Sequence, residues 1–199
     1  MSKLLIATNN QGKIEELKEL LQDAGIEFVT PAQINLQLEV EEDGSTYQEN
    51  AGKKAVAFAQ ASGLISLADD SGLEVAALNG APGLYSARYS PKPGAKDKDR
   101  RDFLLKNLKD KERPWKAHFH ATIAIAKPTG EIEFAEGNCF GEIIPEERGT
   151  GGFGYDPIFL LPELGKTMAE LDMDEKNRLS HRALAVIAAM PILKRMFSA

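Results

Sequence analysis

The sequence predicts an α/β fold in which helices flank a mixed, twisted β-sheet. Short apolar strands alternate with helix patterns over the first seventy residues, which is typical of a sheet covered by helices. Two longer strands with alternating apolar residues begin at Trp115 and are separated by a turn. No internal repeat, low-complexity tract or break in composition marks a linker. We therefore expect one domain over residues 1–199, with any second lobe inserted into the first.

The N-terminal elements begin with an apolar strand at residues 3–8, "KLLIAT". A helix is predicted next, because apolar residues recur at helical spacing and Gly25 then stops the pattern. Its apolar positions are Ile14, Leu17, Leu20, Leu21 and Ala24. The segment "IEFVT" (26–30) predicts the second strand. The order is therefore strand, turn, helix and strand.

Residues 46–70 predict a capped helix and a third strand. The segment "TYQE" (46–49) has the Thr-x-x-Glu form of a capping box, and Gly63 ends the Ala-rich helix that follows. The third strand, "LISLAD", finishes on the adjacent acids Asp69 and Asp70. Because ligands on such sheets gather at the carboxyl ends of strands, this acidic pair is a candidate site.

The second half of the chain predicts a hairpin and a C-terminal helix. Apolar residues alternate from Trp115 to Ile125, "KPTGE" makes a turn, and "IEFAEGNCFGEII" returns. The segment "TMAE" (167–170) is another capping box. We expect the last helix to bury an apolar face, and we expect Pro191 to kink or restart it. That face consists of Ala183, Leu184, Ile187 and Ala188.

Composition excludes several classes of function. The formal net charge of -6 and the pI near 5.2 argue against a general nucleic-acid binder, which needs clustered Lys and Arg. The single Cys139 cannot form an internal disulfide and no secretion signal is visible, so we expect a cytoplasmic protein. The longest apolar stretch near the C-terminus is far shorter than the roughly 20 residues of a spanning helix. We therefore expect neither nucleic acid nor a membrane as a partner.

The segment "TNNQGK" (8–13) is a candidate phosphate-binding loop. It follows the first strand and opens the first helix, where backbone N–H groups and the helix dipole favour anions, and Lys13 adds a cation. It matches neither the Walker pattern nor the dinucleotide fingerprint. The alternative is an ordinary turn with an Asn cap and a solvated lysine.

Acidic and basic residues on both sides of the second helix suggest a metal site. "EVEED" (39–43) precedes this helix, and Lys53 and Lys54 lie inside it. One of the acids could meet Asp69 or Asp70 and share Mg²⁺, a cation that takes oxygen ligands and substrate phosphates. The alternative is a run of solvated surface charge.

Two C-terminal segments are further candidates. The glycine-rich "GTGGFGYDP" (149–157) allows close backbone approach to a ligand, and its aromatic rings could stack on a base. The alternative is a tight turn between strands. "DEKNRLSHR" (174–182) places cations near the start of the last helix, where the dipole disfavours them unless an anionic or carbonyl-rich group meets them. Plain surface residues are the alternative there.

Other chemistries have weaker support. His118 and His120 lie on the polar face of the alternating strand and lack Cys or His partners for a metal. Ser71 lacks the nucleophile-elbow pattern, and Cys139 has no supporting signature. We therefore do not expect covalent catalysis.

Six motifs, taken together and in this order, resemble the Ham1/RdgB family of inosine triphosphate pyrophosphatases. They are "ATNNQGK", "TYQENAGKKA", "ADDSGLEV", "GAPGLYSARY", "GTGGFGYDPIF" and "SHRALA", and they extend from the first strand to the last helix. The resemblance implies two lobes with a central active-site cleft. It also implies a homodimeric, Mg²⁺-dependent enzyme that hydrolyses ITP, dITP and XTP to the monophosphate and pyrophosphate.

The resemblance also implies roles for individual residues. Asp70 resembles the proton acceptor and a Mg²⁺ ligand, and Glu41 is our choice for the second metal carboxylate, with Glu42 adjacent. The residues expected to contact substrate are Thr8, Asn9, Asn10, Gln11, Gly12, Lys13, Lys54, Ser71, Phe153, Gly154, Tyr155, Asp156, Lys176, His181 and Arg182.

Two other functions stay open on the sequence. One is a related nucleotide pyrophosphatase, such as a Maf-like enzyme that acts on pyrimidine triphosphates. The other is a nucleotide-binding sensor without turnover. The acidic pair argues against the sensor, because two carboxylates repel phosphate unless a metal intervenes.

Overall fold

The computed structural model describes residues 3–198, and within them seven strands form one mixed sheet with the order β2-β1-β3-β4-β5-β6-β7. The strands are β1 (Lys3–Ile6), β2 (Glu27–Val29), β3 (Ile65–Val75), β4 (Trp115–Ala126), β5 (Ile132–Ile143), β6 (Phe159–Leu161) and β7 (Lys166–Thr167). The helices are α1 (Gln11–Leu21), α2 (Tyr47–Ser62), α3 (Asp97–Leu108), α4 (Met173–Leu179) and α5 (His181–Ser198).

Strand directions confirm the predicted mixed sheet. Strand β1 pairs in parallel with both β2 and β3, whereas β6 pairs antiparallel with both β5 and β7. The predicted hairpin is also present, because β4 and β5 are neighbours in the sheet and a turn closed by the Lys127 N–H and Glu131 carbonyl joins them. Within residues 3–198, no helix is both long and apolar enough to span a membrane.

The chain divides into two compact units. The first unit contains the chain up to Asp70, Ala121–Gly137 and the chain from Arg182 onward. The second unit contains Ser71–His120 and Asn138–His181. The chain passes from one unit to the other within β3, β4 and β5 and again at the start of α5, so both units contain strands of the sheet.

In the first unit, helices cover both faces of the sheet. Side chains of a strand alternate between faces, so Leu4 and Ile6 share one face and Leu5 faces the other. Leu4 and Ile6 pack in a cluster with residues of α1 and α5. Leu5 packs instead with the alanines of α2 and with Phe58. This arrangement brings the start of α1, the start of α5 and the middle of β3 into one unit.

In the second unit, α3 and the aromatic residues of the strands form a separate core. Leu104 and Leu108 of α3 are fully buried and cluster with Trp115. Phe119 of β4 and Phe159 of β6 pack ring to ring, with centroids 4.5 Å apart. This core supports the glycine-rich segment at residues 149–157.

The helix boundaries agree with the predicted caps. The Asn10 side chain caps α1, and the Thr46 side chain accepts a hydrogen bond from the Glu49 N–H at the start of α2. Gly63 follows α2 with φ +70°, the left-handed conformation that favours glycine. The "TMAE" capping box is present between Thr167 and Glu170, but it closes only a single 3₁₀ turn.

The structure corrects where β3 ends, and it excludes one of the two predicted effects of Pro191. Strand β3 does not finish on Asp69 and Asp70 but continues to Val75, because Leu73 and Val75 are fully buried in the second unit's core. The acidic pair therefore lies in the middle of a strand. Helix α5 is unbroken through Pro191, which does not restart it.

The predicted buried face of the last helix was also partly wrong. Of the predicted face, only Ala183 is buried, and Leu184, Ile187 and Ala188 are exposed. Ala185, Val186 and Ala189 are buried beside β1 instead. The apolar residues of α5 surround the helix, so spacing alone did not identify the buried face.

Candidate active site

The predicted phosphate loop lies where β1 gives way to α1. Thr8, Asn9 and Asn10 connect the two elements, and Gln11, Gly12 and Lys13 form the first turn of α1. Asn10 Oδ1 accepts a hydrogen bond of 3.1 Å from the Lys13 N–H, and Thr8 Oγ1 accepts one of 3.2 Å from the Asn10 N–H. The loop therefore presents a capped helix N-terminus.

A buried ion network joins this loop to β3 and α5. Lys13 Nζ lies 3.0 Å from Asp69 Oδ1. Arg182 Nε and Nη2 lie 3.2 and 3.1 Å from Asp69 Oδ2, and Arg182 Nη1 also donates to Glu16. The side chains of Asp69 and Arg182 are 0% and 2% exposed. Because a buried charge is costly alone, each charge here depends on its partners.

Electrostatics within the network keep it ionised. Burial acts to raise the pKa of Asp69, but Lys13, Arg182 and Lys54 outweigh burial and hold that pKa well below its usual range. Burial acts to lower the pKa of Arg182, and the carboxylates of Asp69 and Glu16 raise it above its usual value. Burial lowers the pKa of Lys13, although Asp69 opposes this change. Lys13, Arg182 and Lys54 therefore neutralise the charge of Asp69.

Asp70 has different surroundings from Asp69. Asn50 Nδ2 on α2 donates a hydrogen bond of 3.1 Å to Asp70 Oδ2. Burial raises the pKa of Asp70, and the charges of Lys54 and Lys13 only partly offset this effect. Burial therefore disfavours the ionised form of Asp70, and an additional cation nearby would stabilise that form.

Lys54 links the acidic segment to β3. Its Nζ donates to Glu42 Oε1 at 3.1 Å and to the Asp69 carbonyl at 2.8 Å. Glu42 also contributes to raising the pKa of Asp70, which indicates that its carboxylate lies close by. Glu41 is exposed, and its charge acts on Lys53. Of the two neighbouring acids, Glu42 is the one that contacts Lys54, and Lys54 also contacts the Asp69 carbonyl.

In the second unit, Asp156 and Lys176 form a buried ion pair beside Phe153. Lys176 Nζ lies 2.8 Å from Asp156 Oδ2 and 5.7 Å from the centre of the Phe153 ring. Asp156 Oδ2 also accepts a hydrogen bond from the Phe153 N–H. The loop passes so close to this pair that a Cβ on Gly152, whose φ is +69°, would lie 2.7 Å from Lys176 Nζ.

Tyr155 and Gly154 hold the same loop in place. Tyr155 is buried, and its hydroxyl donates to the Ser86 carbonyl at 2.8 Å. Burial raises the pKa of Tyr155. The Gly154 N–H donates to Asp97 Oδ2 at 2.8 Å, and the Gly154 carbonyl accepts from Arg101. Phe153 is therefore the more open of the two predicted stacking rings.

Three other residues that were expected to contact substrate, His181, Ser71 and Lys176, lie on three different elements. His181 is buried, and its ring stacks on Phe119 with centroids 4.7 Å apart. Ser71 follows Asp70 on β3 and is half-buried. Lys176 lies in the last turn of α4 and not near the start of the last helix, so the dipole argument applies only to His181 and Arg182.

Sequence reasoning missed three residues that support the site. Glu16 contacts Arg182. It lies three residues after Lys13, on the same face of α1, and this spacing could have identified it. Asn50 stands inside the quoted motif "ENAGKK" and contacts Asp70. Asp97 contacts a loop 57 residues away, so no local pattern could have found it.

Comparison of sequences shows relatives along nearly the whole chain. Residues 4–192 match the model of the Ham1 family. A Desulforamulus reducens protein named dITP/XTP pyrophosphatase is 50% identical, covering 98% of this chain and 97% of that protein. A Thermus thermophilus protein of the same name is 48% identical, covering 96% and 92%.

Two solved structures are similar to this chain over nearly its whole length. A HAM1 protein from Coxiella burnetii has a TM-score of 0.88 and 41% identity, covering 98% of this chain and 100% of its own. The Staphylococcus aureus Ham1 protein has a TM-score of 0.85 and 39% identity, with the same coverage. The similarity therefore includes both units.

Proposed function

Because the chain belongs to the Ham1 family, we propose that it hydrolyses dITP, ITP and XTP to the monophosphate and pyrophosphate. Water attacks the α-phosphorus, the bond from that phosphorus to the oxygen bridging to the β-phosphate breaks, and pyrophosphate leaves. The names of the relatives support dITP and XTP as substrates, and the family resemblance adds ITP. The proposed removal of deaminated purine nucleotides from the pool follows from these substrates.

One observation carries the proposal: a buried carboxylate, Asp70, occupies the same unit as a helix N-terminus and two lysines. The N–H groups of the 8–13 loop and the ammonium groups of Lys13 and Lys54 suit a chain of phosphates. Neutralising phosphate charge is the main electrostatic task in phosphoryl transfer. The first unit thus contains both the anion-binding groups and the base.

Asp70 is the proposed proton acceptor. Burial raises the pKa of Asp70, which makes its carboxylate a stronger base than an exposed one. Asn50 holds one of its oxygens, Oδ2, by a hydrogen bond. The proton of the attacking water moves to Asp70 as the bond to phosphorus forms.

We propose Mg²⁺ as the cofactor, with Asp70 and Glu42 as its protein ligands. Mg²⁺ usually keeps several waters and takes only one or two carboxylates together with substrate phosphates, so two acids are enough. Among residues 3–198, no cluster of three His, Cys, Asp or Glu side chains forms a complete protein cage for a metal. The bound cation would neutralise charge on the phosphate oxygens.

We propose that residues of the second unit recognise the base of the nucleotide. Phe153 offers a ring for stacking, and Lys176 and the backbone of the glycine-rich loop offer donors for a 6-oxo group. A site that donates to an oxo group leaves its donors unpaired against the 6-amino group of adenine. We also propose that His181, Arg182 and Ser71 act in substrate binding. Arg182 would act indirectly, because its guanidinium group holds the Asp69 carboxylate in place.

The oligomeric state and the cellular location are also proposed, on fewer observations. A homodimer is implied by the family resemblance. A cytoplasmic location is consistent with Cys139, which is a free buried thiol.

Pyrophosphate release from a panel of nucleotides tests the proposal. ITP, dITP and XTP should be hydrolysed in the presence of Mg²⁺ and should release almost no pyrophosphate in EDTA. GTP, dTTP and UTP should be poor substrates. Preference for dTTP or UTP would favour a pyrimidine-specific enzyme, and tight ITP binding without release would favour a sensor.

A further inference from the structure

Two side chains of α3 that have no role in the function proposed above hold the backbone of Gly154. Asp97 Oδ2 accepts a hydrogen bond of 2.8 Å from the Gly154 N–H, and Arg101 Nη1 donates one of 2.7 Å to the Gly154 carbonyl. Asp97 and Arg101 lie about one helical turn apart on the same face of α3. This α3 pair (Asp97 and Arg101) and Gly154 all belong to the second unit. One helix face therefore binds both backbone polar groups of a single glycine.

Hydrogen bonds, and not side-chain packing, fix the conformation of Gly154. Its φ is +62°, and a Cβ added there would have no atom of the described residues within 4 Å. Glycine also has more backbone freedom than any other residue. The bonds from the α3 pair therefore restrict a position at which the chain could otherwise take several directions.

Each member of the α3 pair is itself oriented by a group of opposite charge. Arg101 Nε and Nη2 each lie 3.0 Å from a different carboxylate oxygen of Glu147, and the Arg101 side chain is only 10% exposed. Arg100 Nη2 lies 2.5 Å from Asp97 Oδ1, which leaves Oδ2 for Gly154. A guanidinium group bound by a carboxylate at two N–H groups has few orientations. The α3 pair is therefore preorganised to hold the loop.

The peptide that joins Phe153 to Gly154 connects this arrangement to the base-recognition loop. The Phe153 N–H donates to Asp156 Oδ2, and the next N–H, that of Gly154, donates to Asp97. The backbone of Phe153 is thus bound on both sides. Because a side chain extends in the direction that its backbone sets, a displacement of Gly154 would displace the Phe153 ring.

We propose that Asp97 and Arg101 are positioning residues for base recognition, which hold Gly154 so that the Phe153 ring is ready to stack on the base. This inference rests on the proposed role of Phe153 in the function described above. Holding the loop in advance raises affinity, because less freedom is lost when the substrate binds. The bond that breaks is at the α-phosphorus, and the stacking contact is the same before and during that step. Loss of the α3 pair should therefore raise KM and leave kcat nearly unchanged.

Steady-state kinetics with ITP test this separation of KM from kcat. The variants are Asp97→Ala, which removes the acceptor, and Arg101→Met, which keeps the apolar stem and removes the donors. Each should raise KM by about fivefold or more, the smallest contribution expected of a base stacked on an aromatic ring. Its kcat should change by less than about twofold, because uniform binding is lost. Circular dichroism and melting curves should show that both variants are folded.

The matched controls are Asp102→Ala and Lys98→Met on the same helix. Asp102 and Lys98 form an exposed ion pair with each other, and their side chains are 56% and 68% exposed. Because an exposed pair contributes little, each control should change KM by less than about twofold. A control that raised KM as much as the α3 variants would overturn the proposal.

Tripolyphosphate provides a probe that has phosphates but no base. Its inhibition constant against ITP hydrolysis should change by less than about twofold in the Asp97→Ala and Arg101→Met variants, because the phosphates are proposed to bind in the first unit. A rise in this inhibition constant equal to the rise in KM would overturn the proposal, since it would show a general disturbance of the enzyme.

Fluorine NMR reports the ring without any need for turnover. With para-fluorophenylalanine in place of Phe153, the otherwise unchanged chain should show one fluorine resonance. The Asp97→Ala and Arg101→Met variants should shift or split it, and the two controls should not. An unchanged resonance, an unchanged KM, or a lowered kcat at unchanged KM in the α3 variants would overturn the proposal. A wild-type chain that releases no pyrophosphate from ITP would refute the proposed function, whereas the fluorine resonance would still decide whether the α3 pair positions the ring.

Discussion

Asp69 and Asp70 are consecutive residues of β3, yet their carboxylates bind different partners. Asp69 binds Lys13 and Arg182, whereas Asp70 accepts a hydrogen bond from Asn50 on α2. Consecutive side chains of a strand point to opposite faces, so the two charges are separated by the backbone. The adjacent acids therefore have different surroundings: Asp69 holds two cations in place, and Asp70 is the carboxylate that we propose as the proton acceptor.

An Asp70→Asn variant should lose activity without losing stability. The amide keeps the size of the side chain and can still accept from Asn50, but it cannot take a proton from water. We expect kcat for ITP to fall by about 10²- to 10⁴-fold, the usual contribution of a general base. The free energy of unfolding in urea should not decrease. A variant with wild-type kcat would show that another group is the proton acceptor.

An Asp69→Asn variant should instead destabilise the protein. It leaves Arg182 and Lys13 without the carboxylate that neutralises them, and Arg182 is 1% exposed. Breaking a buried ion pair from one side costs about 3–5 kcal/mol, and urea unfolding at pH 7 measures it. Asp43→Asn, which breaks the exposed pair with Lys53, is the control and should leave the free energy of unfolding unchanged. Equal effects of the two variants would contradict the role given to Asp69.

Local patterns predicted the parts of the site that lie close together in the chain. The loop at residues 8–13 follows β1 and opens α1 as expected, because a strand followed by an Asn cap and apolar helical spacing has few alternatives. The cap at Thr46 and the glycine stop at Gly63 were predicted for the same reason.

Contacts between distant segments were beyond the reach of local patterns. The choice between Glu41 and Glu42 depends on which side chain of an irregular segment reaches Lys54, and adjacent acids give no sequence signal for this. The extension of β3 past Asp70 depends on burial of Leu73 and Val75 in a core formed by later residues. The exposure of Ile187 likewise depends on which face of α5 meets the sheet.

Glu42 and Glu41 provide a matched pair for testing the proposed metal site. Glu42 reaches Lys54 and raises the pKa of Asp70, whereas Glu41 is exposed. A Glu42→Gln variant should raise the Mg²⁺ concentration for half-maximal pyrophosphate release by about tenfold or more. Glu41→Gln should change it by less than about twofold. The reverse result would return the role of metal ligand to Glu41.

Gly152 should tolerate no side chain. A methyl group there would overlap the Asp156 carboxylate and lie 2.7 Å from Lys176 Nζ, in addition to the strain of a positive φ. We expect Gly152→Ala to lower the free energy of unfolding by about 3 kcal/mol, from strain and a disturbed buried pair together. Gly165 has φ +63°, and a Cβ added there would have no atom within 4 Å, so Gly165→Ala should cost only about 1 kcal/mol. Urea unfolding of both variants measures the difference, and equal losses would show that the ion pair moves aside freely.

Asp97 should make stability depend on pH, because its carboxylate ties α3 to the glycine-rich loop. Partial burial acts to raise the pKa of Asp97, but hydrogen bonds from Arg100 and the Gly154 N–H outweigh burial and hold that pKa below its usual value. A lowered folded-state pKa contributes stability above the unfolded value near 3.9, and this stability is lost as the pH falls through the folded value.

The Asp97→Asn variant should therefore be less stable than the wild type by about 1 kcal/mol between roughly pH 5 and 7, since Asp97 is partly exposed and the pair is screened. The difference should shrink below about pH 4, where the wild-type carboxyl also becomes protonated. Urea unfolding at several pH values measures this change, and Asp102→Asn on the exposed side of α3 is the control. A difference that stays constant down to pH 3 would mean that Asp97 acts through packing and not through its charge.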